Sequence, residues 1–202
     1  RHVSGEWQAA ALADAARDAA QSGNPVSALR FMGAAINLTD RADQWVEYAR
    51  LAGLIEGGNG SETRRWRETA IAAGINGYLR GREAPVRASA LAVIGKALQD
   101  VGRGRESIPV LRLANDIAPR FDLQDALDDA IARFGFRITE HRVDSDSAAP
   151  RICATFSEDL VPAGVDYTPF VQVPVAGLAV EADGKQICID GVAHGERYRV
   201  TF

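Results

Sequence analysis

The 202-residue chain predicts a multidomain α-plus-β protein, an α-helical solenoid followed by an antiparallel β-sandwich. Three observations carry that prediction. Apolar positions recur at three and four through residues 1–140, the helical period. After about residue 148 the pattern breaks into short β-rich runs divided by turn residues. The helical part also aligns with itself, as repeat architectures do. The expected organisation is a helical region over 1–143, a linker over 144–150 and strands over 151–202.

The helical faces run in order. Trp7, Ala10, Ala11, Ala15 and Ala19 mark the first, Leu29, Met32, Ala35 and Ile36 the second, and Trp45, Tyr48, Ala49 and Ala52 the third. Asn24 before Pro25 is a helix start, because the side chain caps a free amide and the ring sits where no amide is needed. Asp122 with Asp125 marks another start, since carboxylates favour the positive end of a helix. When Gly23 is set on Gly102, Ala28, Met32 and Ala35 fall on Ser107, Leu111 and Ala114.

Residues 88–121 have the 34-residue length of a tetratricopeptide repeat and resemble its pattern of large and small positions. In this reading Gly95 and Ala114 let two helices approach, and Leu91 and Leu111 fill the space between them. Residues 9–42 read as a second copy. Residues 42–80 read as a degenerate one interrupted by Gly57-Gly58-Asn59-Gly60, and 122–134 as a cap helix. Pro109 falls inside the last helix of the array, so that helix is expected to start late, with Ser107 as its N-cap.

The β part reads as five runs: 152–156, 170–173, 178–181, 186–189 and 198–202. Pro162, Pro169, Pro174, Asp183-Gly184 and His194-Gly195 separate them, and Asp183-Gly184 is a hairpin signal. Asp144 to Pro150 reads as the linker.

Composition narrows the function. With 47% hydrophobic and 25% charged residues, the chain is neither a disordered tail nor a fibre. No apolar run approaches the ~20 residues that span a bilayer. The net charge of −4 is too mild for a general polyanion binder. Residues 61–121 carry +5 and residues 122–202 carry −7, but the basic block alternates with aliphatics as a solvated helix face does, so nucleic acid is not expected.

Chemistry-bearing patterns are sparse. His2, His141 and His194 stand apart from metal-ligand spacing, and His194-Gly195 fits a turn. There is no nucleophile elbow, and Gly95-Lys96 lacks the frame of a phosphate loop. The Gly57–Gly60 run follows no strand, and Asp144 with Asp146 reads as polar connection more readily than as a calcium loop. Asn37 and Asn59 head glycosylation sequons of a kind that arises by chance. Trp7, Trp45 and Trp66 read as helix-packing anchors. No catalytic, cofactor or metal residues are assigned, and an enzyme is the last-ranked reading.

Cys153 and Cys188 sit in two expected strands, 35 residues apart. Either they form a disulfide, stabilising by about 3–4 kcal/mol, or they are two buried thiols. The disulfide is favoured, because so small a β-domain has little core of its own.

The β motifs carry a family resemblance. Residues 151–160 (RICATFSEDL), then Asp166-Tyr167-Thr168-Pro169-Phe170-Val171, then Ile187-Cys188-Ile189-Asp190-Gly191 and His194-Gly195-Glu196-Arg197-Tyr198-Arg199-Val200, resemble the first macroglobulin-like domain of bacterial α2-macroglobulins. The helical part resembles the tetratricopeptide-like region that precedes this domain in some members. The resemblance implies a protease trap in the periplasm or at the envelope, with Cys153 paired to Cys188. It departs from the family in having no C-x-E-Q thioester sequence and no bait region, and in stopping at Phe202 within a strand-like run. The expectation is therefore a non-catalytic N-terminal structural or docking portion. Its β-domain would be incomplete, its partners neighbouring domains and envelope proteins, and proteases would be met only by the parent. The alternative is a tetratricopeptide adaptor with an accessory β-domain, binding peptides in a groove. A third reading, an envelope-binding β-module, would use Tyr167 and Phe170 as exposed aromatics.

Overall fold

A computed structural model of the protein describes residues 5–161, 164–173 and 177–202. The chain divides into two compact units, Arg1–Gly135 and Phe136–Phe202. His2 and the expected turns at Pro162 and Pro174 lie outside the described residues.

The first unit is helical. α1 (Ala9–Gln21) and α2 (Pro25–Thr39) form one packed pair, α3 (Ala42–Leu54) and α4 (Gly60–Arg80) a second, and α5 (Ala84–Asp100) and α6 (Gly104–Ile117) a third. α7 (Phe121–Phe134) packs on α6. The pairs correspond to the three expected copies, and α7 to the expected cap. Their core is alanine-rich: Ala16, Ala28, Ala52, Ala70 and Ala97 surround Leu29, Met32 and Leu51. Small side chains allow close helix approach, and the few large ones fill the remaining volume.

The alignment of Gly23 on Gly102 has a backbone cause. Both take positive φ, 74° and 82°, and both close a helix with the same two hydrogen bonds. Gly23 N–H donates to Ala20 O and Asn24 N–H to Ala19 O; Gly102 N–H donates to Gln99 O and Arg103 N–H to Leu98 O. This is the glycine helix stop, which an L side chain would strain. Asn24 then caps α2, its side chain accepting from Ser27 N–H at 3.0 Å. Glycine also serves the packing: a Cβ on Gly95 would stand 2.7 Å from Leu111 Cδ2.

One helix start differs from expectation, and a second falls where it was expected. α6 begins at Gly104 with Arg103 at its N-cap, and Pro109 lies inside it. Ser107 is the fourth helical residue and is fully buried, its hydroxyl donating to Gly104 O at 2.6 Å. Burial of Gly104, Ser107, Leu111 and Ala114 along one face holds the first turn helical. That burial outweighs the one hydrogen bond Pro109 removes. α7 begins at Phe121 with Arg120 at its N-cap; Asp122 sits in the first turn, tied to Arg120 at 3.0 Å.

The second unit is a single antiparallel sheet in the order β1-β2-β4-β3. Its strands are β1 (Ile138–Asp144), β2 (Arg151–Phe156), β3 (Ala179–Asp183) and β4 (Gln186–Asp190). Ala154, Phe156, Ile187 and Ile189 bury one face against Leu160, Val171 and Val192. β3 and β4 form the expected hairpin, with Gly184 at φ 55° in its two-residue loop. His194-Gly195 is the expected turn.

The boundary and the sandwich need correction. β1 pairs with β2, so the division falls after Gly135 and not at 143. Residues 145–150 are the loop of the β1–β2 hairpin, not an interdomain linker. The second sheet of a sandwich is not found among the described residues. The runs at 170–173 and 198–202 meet in one isolated bridge, Gln172 to Thr201. Thr168–Phe170 is a turn of 3-10 helix, set by Pro169 and by the Asp166 carboxylate accepting from Thr168 N–H at 2.9 Å.

Candidate functional site: a groove along the helical unit

One side of the helical unit is concave. Three adjoining cavities, of about 570, 710 and 360 Å³, run from α1 across α3 and α5 to α7. Arg50 lines the first two, and Ala92, Lys96 and Asp100 line the last two. The line of helices follows from the repeat. The first helix of each pair and the cap helix present the same side, so their exposed faces join into one trough.

The floor of the central cavity is apolar, made by Gly53, Leu54, Ala70, Ala92, Val93 and Ala97. Leu54 ends α3 with 53% of its surface open to solvent. Charged pairs form the walls. Arg50 holds Glu47 through two hydrogen bonds, at 2.8 and 2.5 Å, and this contact raises the Arg50 pKa. Lys96 Nζ donates to Asp100 at 2.5 Å one turn along α5. Arg17 pairs with Asp14 at the α1 end, and Arg133 with Asp129 at the α7 end, at 3.0 Å.

Arg67 is the buried charge of the site. From α4 it donates to Ile55 O at 2.8 Å and to Glu56 Oε1 at 2.5 Å, and it faces Asp100 at 3.8 Å. It therefore ties the α3–α4 loop to the groove floor, and its charge is compensated where it is buried.

The glycine run at 57–60 is part of this loop and builds a helix start. Asn59 accepts from Glu62 N–H, Glu62 accepts from Gly58 N–H, and Thr63 Oγ1 accepts from Gly57 N–H, all at 2.9 Å. Its free amides are thus taken by the first turn of α4, in the manner of a capping box.

The structure joins Cys153 and Cys188 in a disulfide. They stand directly opposite on β2 and β4, with Cα atoms 4.1 Å apart. Trp45 anchors the α2–α3 turn: its Nε1 donates to Asp40 at 2.7 Å, and Arg80 lies 5.2 Å above its ring. Trp7 stacks on Phe31 at 6.1 Å, and Trp66 packs on the core. Of the two aromatics proposed for an envelope surface, Phe170 is 65% exposed, whereas Tyr167 packs on the sheet's core. His141 and His194 are exposed and lie on β1 and in a turn.

The groove residues Leu54, Arg67 and Asp100 carry no motif. The one signal within reach was the four-residue spacing of Ala92, Lys96 and Asp100, which puts them on one face of α5.

Among solved structures, the chain is similar to the Arabidopsis OM64 TPR domain, with 16% identity and a TM-score of 0.51. That match covers 62% of this chain and 96% of the domain. The N-terminal domain of stress-induced protein-1 (STI-1) from C. elegans matches at 16% identity and a TM-score of 0.45, over 60% and 93% of the two chains. No family model and no curated protein matches. At this identity the likeness to the TPR domain concerns fold: the helical unit is a tetratricopeptide-like solenoid.

Proposed function

We propose that the protein is a non-catalytic interaction adaptor whose helical unit holds a segment of a partner protein along the α1–α3–α5–α7 groove. The observation that carries this reading is the continuity of the trough, with Leu54 open on an apolar floor between walls of paired charges. Such a surface suits a peptide that seats one apolar side chain and leaves its polar backbone to the walls. A photo-crosslinking residue at Val93, in the groove, and another at Leu79 on α4, outside it, test the reading in the native host. Synthetic segments identified by the Val93 adduct are then titrated against wild type and Leu54→Asp. Loss of about tenfold or more in affinity is expected on placing a charge on the apolar floor. Unchanged binding, or adducts from Leu79 alone, would overturn the groove as the site.

A second reading keeps the resemblance to bacterial α2-macroglobulins. The Cys153–Cys188 bond supports it, being the pairing that resemblance implies. In this reading the protein is exported to an oxidising compartment, periplasmic or outside the cell. The groove then docks neighbouring domains of a protease-trapping parent or an envelope protein. Intact mass after alkylation without reductant, on protein from its native host, separates the two. A mass lacking both alkyl groups favours export. Two alkyl groups favour an adaptor in a reducing compartment.

A further inference from the structure

β1 is an edge strand, and its own sequence is complementary to a second copy of itself. It lies outermost in the sheet, and residues 138–143 are exposed. The hydrogen-bond phase of the sheet shows which groups it offers. Phe156 N–H donates to Lys185 O at 2.8 Å, so Phe156 faces β4. By the alternation of an antiparallel ladder, Thr155, Cys153 and Arg151 then face β1. Their partners there are Glu140, Arg142 and Asp144. The N–H and C=O of His141 and Val143 are left pointing out of the edge.

Edges are commonly guarded by charge of one sign, which repels a second edge. This edge carries both signs, one residue either side of His141. If two β1 strands pair antiparallel about a twofold axis through His141, Glu140 of each copy stands opposite Arg142 of the other. Directly opposite charges attract across a ladder. Glu140 has no ion-pair partner among the described residues. Among the described residues Arg142 forms an ion pair only with Asp144, at 3.8 Å, on its own strand. Val143, 58% exposed, shares the core face with Ile152, its cross-strand partner, and among the described residues no strand lies beyond it on the edge side. Pairing would cover that flank.

We propose that the protein self-associates through β1, two copies joining their sheets edge to edge in the register that sets Glu140 against Arg142 of the second copy. The bulge between Ile138 and Glu140 ends the regular edge, so the shared ladder is short. The association is accordingly reversible and depends on concentration.

Sedimentation velocity of the full chain, from low micromolar to several hundred micromolar, tests this. Wild type should shift from monomer to dimer across the range. Arg142→Glu puts like charges opposite at both ends of the ladder, and Glu140→Arg does the same with the opposite sign. Each should weaken association on the order of tenfold. The double exchange Glu140→Arg with Arg142→Glu rebuilds both pairs and should restore it. Far-UV circular dichroism checks that each variant is folded. A wild type that stays monomeric throughout would overturn the proposal. So would a dimer indifferent to both single substitutions, or a folded double exchange that fails to recover association.

Discussion

Asp40 ends α2 in the left-handed conformation, φ 50°, and its carboxylate accepts from Trp45 Nε1 and Arg80 Nε, each at 2.7 Å. Those two contacts, Trp45 first, hold the Asp40 pKa below the usual carboxylate value. A carboxyl whose pKa falls on folding contributes stability above its unfolded pKa and loses it as pH drops through the folded one. Asp40→Asn keeps an acceptor and tolerates the left-handed backbone but removes the charge. It should lower the melting temperature at neutral pH, and the gap from wild type should close in acid, where wild-type Asp40 is itself protonated. Melting curves across pH check this, and a gap of constant size would contradict it. Gly95 makes a second residue-level case. Alanine there gains about 1 kcal/mol of helix propensity but meets Leu111 Cδ2 at 2.7 Å and Cγ at 2.8 Å. Leu111 is buried and cannot yield cheaply, so about 1–3 kcal/mol of overpacking is expected. Urea denaturation of Gly95→Ala should show net loss in wild type and net gain in a Leu111→Ala background, where the obstacle is gone.

At the scale of the element, α6 and β1 departed furthest from the sequence reading. Pro109 is exposed within α6, where its ring and missing amide disturb a helix held by its buried face. Pro109→Ala should therefore raise stability, by up to about 3 kcal/mol, read as a higher denaturation midpoint. An unchanged midpoint would mean the turn around Pro109 is not strained. β1 escaped detection because its apolar ends, Ile138 and Val143, are an odd number of residues apart, which breaks strict alternation. The bulge between Ile138 and Glu140 absorbs the extra residue. A strand exposed from 138 to 143 at an edge has little burial to record in its sequence. The Asn24 cap and the Gly184 hairpin were legible because each is a local backbone demand met by one residue type.

For the whole molecule, the two compact units should respond separately to the disulfide. Cys153 and Cys188 close a loop of 35 residues within the sheet unit. Replacing both with serine should cost that unit about 3–4 kcal/mol. The helical unit's transition should not move. Calorimetry, with helix loss followed by far-UV circular dichroism, distinguishes the two transitions. A single transition that falls as one would show that the units unfold together. The repeat is the feature of the whole chain that sequence registered best, since a solenoid is built of neighbours and its period survives in each copy.

The helical period, the turn glycines, the repeat and the placing of Cys153 and Cys188 in strands were all readable from the chain. Each rests on spacing along the backbone or on the conformational limits of one residue. The groove, the compensated burial of Arg67, the early start of α6 and the opposition of Cys153 to Cys188 were settled by folding. Those features join residues distant in sequence, and their energies come from packing and from charges brought close. Ile55 and Glu56 meet Arg67 across a loop, and Asp100 comes from another helix, so no local pattern records that they share one site.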